Sequence, residues 1–337
     1  MAQYPPSVVD RFMAWADRLP GPVWLFYLLL LTVLIIIVNA VAWLDGSAQL
    51  GVFGLYRTSV PVYLAFILMM MHHLNRIAHR ALVAFRPALG ASEDAYTRFE
   101  YELTTLPRRE TWAVLGLSLL FTIAYALYTP DLADLFQRSF WLAAVDFVIY
   151  VFVFALVAVL VYHTVHQLRL VSLIQASATN VNLFQPTPLY AFSGLTAQTG
   201  IGLLLLNTFS ILTDPATFVN PALSGLTIFT SLGAVACFVL PLRGMHDRII
   251  LEKKRYQAEA NGRLGATIEE VYRRADTQNL TGMSELNQLM QSLITTREVL
   301  AKIPTWPWDT ETLAGFVSVF LLPIIIRLIG VLLTFVP

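Results

Sequence analysis

The chain holds a single cysteine, Cys237, among 337 residues. That excludes an internal disulfide and any metal site built from several thiolates. Cys237 stands in an apolar run, GAVACFVLP, and reads as a small buried or lipid-facing residue. Charge is the second scarcity. Only 13% of residues are Asp, Glu, Lys or Arg, against about 25% in soluble domains. That is too little charge to cover a globular surface, so much of the surface faces lipid. The two signs also balance, 22 Lys+Arg against 22 Asp+Glu, which gives no bulk attraction to nucleic acid. Signature motifs are missing as well: no P-loop, no GxGxxG after a strand, no HExxH, no GxSxG and no kinase pattern. A TVGYG-like filter and an inverted repeat with two broken helices are absent too. These absences argue against an enzyme, and no cofactor or metal is called for.

What is present is apolar. Hydrophobic residues make up 57% of the chain, and mean hydropathy is +0.64. Seven apolar segments approach the roughly 20 residues that a bilayer-spanning helix needs. They are Pro22–Leu44, Val60–Leu82, Thr111–Tyr128, Ser139–Val165, Pro188–Leu212, Ala222–Arg243 and Thr312–Val336. The first is too long for a secretory signal and lacks a small-residue cleavage site, so it reads as retained. Of the 22 Lys+Arg, Arg57 and Arg138 fall on one side and Arg327 lies within the last span, which leaves 19 on the other side. The positive-inside rule then places the N-terminus in the cytoplasm and the C-terminus outside, in a cell membrane. The expected fold is all-α, seven-transmembrane, with long cytoplasmic helical extensions.

Four regions follow: an interfacial segment 1–21, a six-helix transmembrane region 22–243, a cytoplasmic helical region 244–308 and a last span 309–337. Ser7 is placed to cap an amphipathic turn carrying Val8, Val9, Phe12, Met13 and Trp15 at the membrane surface. The outer connections 45–59, 129–138 and 213–221 are short and carry Asp45, Asp131, Asp134 and Asp214. Residues 83–110 read as one or two helices along the inner membrane face, ended by Pro107. Residues 166–187 continue the fourth span as a helix until Pro186 and Pro188 stop it. Tyr256, Ala260, Leu264, Ile268 and Val271 form one stripe. Leu286, Leu289, Leu293 and Leu300 form another on Ser284–Lys302, after a break at residues 279–282. The two helices are expected to pair as a hairpin or to assemble between subunits.

Polar residues inside the spans mark candidate sites. Asp146 and Arg327 lie at similar depths from the outer face, about 10 Å and about 13 Å at 1.5 Å per residue. An ion pair between them is expected; a pore-lining or snorkelling Arg327 is the alternative. Asn39 and Asn207 suit helix-to-helix hydrogen bonds. Pro323 is expected to kink the last span. The elbow IPTWPWDTE supplies hinge prolines Pro304 and Pro307, headgroup-level Trp306 and Trp308, and a cap at Asp309 or Thr310. All six histidines lie near inner span ends: His72, His73, His79, His163, His166 and His246. They read either as interfacial residues or as ligands of a haem or metal.

Seven spans, an inside N-terminus, tiny outer loops, long inner extensions of spans four to six, and a last span entered through a cytoplasmic helix and an elbow resemble the insect odorant and gustatory receptor group. The resemblance is one of architecture. The group's Thr-Tyr…Gln-Phe motif has no match in FVSVFLLPIIIRLIGVLL. What the resemblance implies is a homo-oligomeric, tetrameric cation channel whose last span lines the pore. Val317, Phe320, Leu321, Ile324, Arg327 and Leu328 are the pore and gate candidates. The expected partners are further copies of the chain, the lipid bilayer, and an ion or small apolar ligand. A non-conducting membrane sensor or scaffold, and a haem- or metal-binding redox protein, are the alternatives.

Overall fold

In lipid a backbone amide has no water to bond, so an apolar run must satisfy its own hydrogen bonds, and a helix does that within one segment. The computed structural model of the chain describes residues 4–128, 140–213, 221–279 and 281–334, with the side chains of Tyr56, Leu142, Ala222, Arg327 and residues 330–334 outside that set. Every regular element among the described residues is a helix: α1 Val8–Ala16, α2 Val23–Leu44, α3 Leu55–Leu89, α4 Glu93–Thr104, α5 Arg108–Tyr128, α6 Phe140–Ala176, the single turn α7 Pro186–Leu189, α8 Ser193–Thr213, α9 Pro221–Val239, α10 Arg243–Asp276, α11 Met283–Lys302 and α12 Thr310–Thr334. Six helical stretches are long and apolar enough to cross a membrane, and the chain is a multi-pass membrane protein. The sixth stretch runs from Leu223 to Asp276, passing from α9 into α10 through a 3-10 turn at Leu240–Leu242.

The bundle is built on α3. Its 35 residues extend about 52 Å at 1.5 Å per residue. Ile67, Met71, Leu74, Ala78, Leu82, Phe85 and Leu89 recur every three or four residues, and all are buried. The helix meets α2, α4, α6, α7 and α8. Inside the bilayer it gains packing rather than escape from water, because lipid tails are as apolar as leucine. At its polar end the hydrophobic effect operates, and fully burying a side chain the size of Leu89 contributes about 1.5–3 kcal/mol. Gly90 ends the helix with φ +57°, a conformation that glycine adopts without a Cβ penalty. The amides of Thr179 and Asn180 donate to the Ala88 carbonyl at 3.0 and 3.2 Å, which ties the chain after α6 to this end.

Several boundaries differ from the sequence expectation. The helix of the fourth span ends at Ala176, well before Pro186. The Arg248 guanidinium of α10 donates to the carbonyls of Ala176 and Ala178, and these side-chain donors take up carbonyls that a longer helix would have bonded. The fifth span is interrupted at its start, where α7 precedes α8. The Ser7 cap forms as expected and gains a capping box with Asp10. However, α1 does more than rest on the membrane surface. The Ser7 amide donates to the Leu106 carbonyl at 3.1 Å, and the Tyr4 hydroxyl to the Thr105 carbonyl at 2.8 Å, so α1 is stitched to the end of α4. The helix α12 continues through Pro323.

Below the bundle, α10 and α11 pack on each other as a hairpin. Leu286, Met290 and Leu293 are half-buried and Leu300 is buried, whereas Leu289 is exposed. The Lys253 ammonium closes the hairpin base by donating to the carbonyls of Ala301 and Ile303 at 2.8 and 2.7 Å.

Candidate functional site

The last helix begins in the elbow. The Asp309 carboxylate accepts from the Thr312 amide at 2.6 Å and caps α12. Trp306 and Trp308 begin a column of rings within the protein. Their rings stack on each other at 4.4 Å, Trp306 stacks on His246 at 4.0 Å, and Trp308 lies against Phe238 at 5.0 Å. Phe238 in turn stacks on Phe316 of α12 at 4.5 Å. The column joins α9, the start of α10, the elbow and α12 through the stacked and tilted contacts that aromatic rings favour. Pro307 is buried within the elbow and Pro304 is exposed.

One face of α12 packs on α8. Gly200 makes the approach close: a methyl there would lie 2.6 Å from Phe316 Cε2 and 2.7 Å from the Ala234 carbonyl oxygen of α9. Gly202, two residues on, admits Met70 of α3 in the same way. Small residues let membrane helices meet closely, and the run Thr196-Ala197-Gln198-Thr199-Gly200-Ile201-Gly202 carries that signal in the sequence. On the opposite face Val317, Leu321, Ile324 and Leu328 are exposed together, at steps of four, three and four. Phe320 turns the other way and packs against the core.

Asp146 lines a crevice with Arg57 and Tyr150, where the Arg57 charge reaches it. The expected partner, Arg327, sits on α12, and its side chain lies outside the described residues. The expected outer acids Asp131, Asp134 and Asp214 lie outside them too. Asn39 and Asn207 bridge helices as expected. Asn207 donates to the Thr227 carbonyl at 3.0 Å and to Ser231 Oγ at 2.8 Å, and Asn39 accepts from the Gly54 amide at 3.3 Å.

The histidines are distributed among separate partners. His73 Nε2 donates to Gln198 at 2.7 Å, His79 pairs with Glu100 at 2.9 Å, and His163 Nε2 donates to Asn75 at 2.8 Å. His166 and His246 donate to the carbonyls of Glu102 and Thr305 at 3.0 and 2.9 Å. Among the described residues no three His, Cys, Asp or Glu side chains gather within reach of one ion.

The sixth histidine organises a cleft that the sequence did not announce. His72 is buried; its Nε2 is 3.1 Å from Asp17, and its Nδ1 is 3.0 Å from the Tyr27 hydroxyl. A carboxylate only accepts, so Nε2–H donates to Asp17, and Nδ1 accepts from Tyr27. Arg76 donates to the same carboxylate at 2.7 Å. Asp17, His72 and Arg76 of the chain Tyr27–His72–Asp17–Arg76 form the shared wall of two cavities, and Tyr27 lines the second. One, about 760 Å³, lies between α1, α3 and α4 and is lined by Arg11, Arg18, Arg80 and Glu100. The other, about 660 Å³, lies between α2, α3 and α8 and is lined by Trp24, Phe66, Met69, Ile201 and Leu205. Asp10 sits in the first; burial pushes its carboxyl above the usual range, against the hydrogen bonds from Ser7 and the Leu106 amide. The sequence held one signal for this site: Asp17, Arg18 and the HHLNRIAHR run are each polar edges of apolar segments that adjoin in space. No family model, curated protein or solved structure matches the chain.

Proposed function

We propose that the protein is a seven-span ion channel of the cell membrane, with its N-terminus inside and its C-terminus outside, assembled from several copies around α12. At 25 residues, α12 is about 37 Å long, enough to cross a hydrocarbon core of about 30 Å. The observation that carries the reading is the stripe Val317, Leu321, Ile324 and Leu328. It is uncovered, apolar and evenly spaced, on a helix held to its own bundle along the other face. A ring of such stripes makes a constriction that closes by dewetting. The aromatic column from Trp306 to Phe316 supports a mechanical link between this helix and the α10–α11 hairpin.

Recording from purified protein in planar bilayers tests this directly. Channel openings are expected, and Leu321→Ser is expected to raise open probability by wetting the constriction. Phe320→Ser is expected not to, because Phe320 faces the core. Silent bilayers from both the parent chain and Leu321→Ser sink the proposal.

A further inference from the structure

We infer that the paired clefts around Asp17, His72 and Arg76 bind one anionic phospholipid from the leaflet on the α1 side. Its phosphate sits among the arginines, and its acyl chains lie along α3 and α8. The inference rests on the membrane setting and not on conduction.

The charges lining the first cleft set the polarity. Every acid there is already committed: Asp17 to Arg76 and His72, Glu100 to His79, and Asp10 to Ser7 and the Leu106 amide. Among the described residues Arg11, Arg18 and Arg80 make no ion pair. They come from both sides of the cleft, two from α1 and its end and one from α3. Three uncommitted guanidiniums at a membrane interface suit a phosphate, which takes their fork of donors in bidentate fashion. Basic pockets between spans on the cytoplasmic side, where the proposed orientation puts α1, are where anionic headgroups bind.

The second cleft supplies the rest of the molecule. It begins at the shared wall and continues along α3 over Met69 and Phe66. A third, apolar cavity of about 300 Å³ shares Phe66 and Leu205 with it and reaches Val62 and Phe209. From Arg76 to Val62 along α3 is about 21 Å at 1.5 Å per residue. One leaflet of hydrocarbon is about 15 Å, half of the 30 Å core, so the track has room for a headgroup followed by chains of full leaflet depth. Trp24 lines this second cleft, and tryptophan favours the headgroup level of a membrane. A soluble anion would use the arginines and leave the apolar track empty, whereas a neutral lipid would do the reverse. One anionic phospholipid uses both.

The test begins with the full chain purified in detergent. Lipid extracted after extensive washing is expected to contain about one anionic phospholipid per chain, with zwitterionic lipid washed away. Binding is then followed by the thermal stabilisation that a native-state ligand produces. Dioleoylphosphatidylglycerol, dioleoylphosphatidylcholine and glycerol 3-phosphate are compared on the same protein. The first is expected to stabilise at least tenfold more effectively than either of the others. The triple variant Arg11→Gln, Arg18→Gln, Arg80→Gln removes no ion pair among the described residues, and its size-exclusion profile is expected to match the parent. It is expected to lose at least tenfold in affinity for phosphatidylglycerol. Leu205→Trp, which fills the track and leaves the arginines, is expected to weaken it as well. Equal retention of phosphatidylcholine overturns the inference, as does parental binding by the triple variant. Stabilisation by glycerol 3-phosphate equal to that by phosphatidylglycerol overturns it in favour of a soluble phosphate.

Discussion

Replacing Gly200 with alanine adds one methyl at the point where α8, α9 and α12 meet. The new carbon would lie 2.6 Å from Phe316 Cε2 and 2.7 Å from the Ala234 carbonyl oxygen. Ordinary carbon contacts lie at about 3.5–4.0 Å, so both neighbours must withdraw by about 1 Å. Phe316 can tilt only at the expense of its stack on Phe238. The Ala234 carbonyl is backbone and cannot rotate away, so the whole of α9 must move. Overpacking of this kind costs about 1–3 kcal/mol, and a backbone obstacle places it toward the upper end. Alanine recovers about 1 kcal/mol of helix propensity, which leaves a net loss of about 1–2 kcal/mol. Unfolding in mixed detergent at increasing denaturant measures it, with Gly233→Ala as the reference, since a methyl at Gly233 meets nothing within 4 Å. That reference is expected to be neutral or slightly stabilising. The double variant Gly200→Ala, Phe316→Leu is expected to recover part of the loss, because it relieves the ring and leaves the carbonyl. If Gly200→Ala is as stable as Gly233→Ala, the three helices do not close on this glycine and the reasoning fails. Full recovery by Phe316→Leu would refute the part assigned to α9.

Asp17→Ala is expected to cost about 1–2 kcal/mol, because it strands the buried His72 Nε2, while the half-exposed Arg76 pair contributes little. Asp17→Asn keeps an acceptor and is expected to cost less; equal denaturation midpoints for the two count against the His72 account. Glu270 on α10 accepts from Arg273 and Arg274 at 2.6 to 2.7 Å, and these bonds hold its carboxyl down to about 2. A depressed acid stabilises the folded helix at pH above its ordinary 4.5, and that contribution fades as pH falls toward 2. Carbon-13 NMR of the Glu270 carboxyl is expected to give a midpoint near 2, and a midpoint near 4.5 rejects the Arg pairing.

Arg57 lines the crevice of Asp146, a neighbour that counting depth along a span does not find. Counting residues from a span end fixes the depth of a side chain, because the rise per residue of a helix is constant. It does not fix which neighbour the side chain faces. That is set by helix order in the bundle: α6 packs on α3, which carries Arg57, and α12 packs on α8. The same limit explains Trp306 and Trp308. Their position beside a span suits headgroups, and only the fold reveals that His246, Phe238 and Phe316 wait there. Phe320 and its neighbours Val317 and Leu321 are alike in sequence, and the packing of one helix face separates them.

The sequence by itself determined the helical class, most span positions, the Ser7 and Asp309 caps and the hairpin stripe of α11 apart from Leu289, because each rests on local periodicity, length or capping chemistry. Tertiary structure alone decided the end of α6, the close approach at Gly200, the crevice that Asp146 shares with Arg57 and the cleft around His72. Each of these depends on residues far apart in the chain, such as Asp17 at the end of α1 and Arg76 on α3, that only the folded chain brings together.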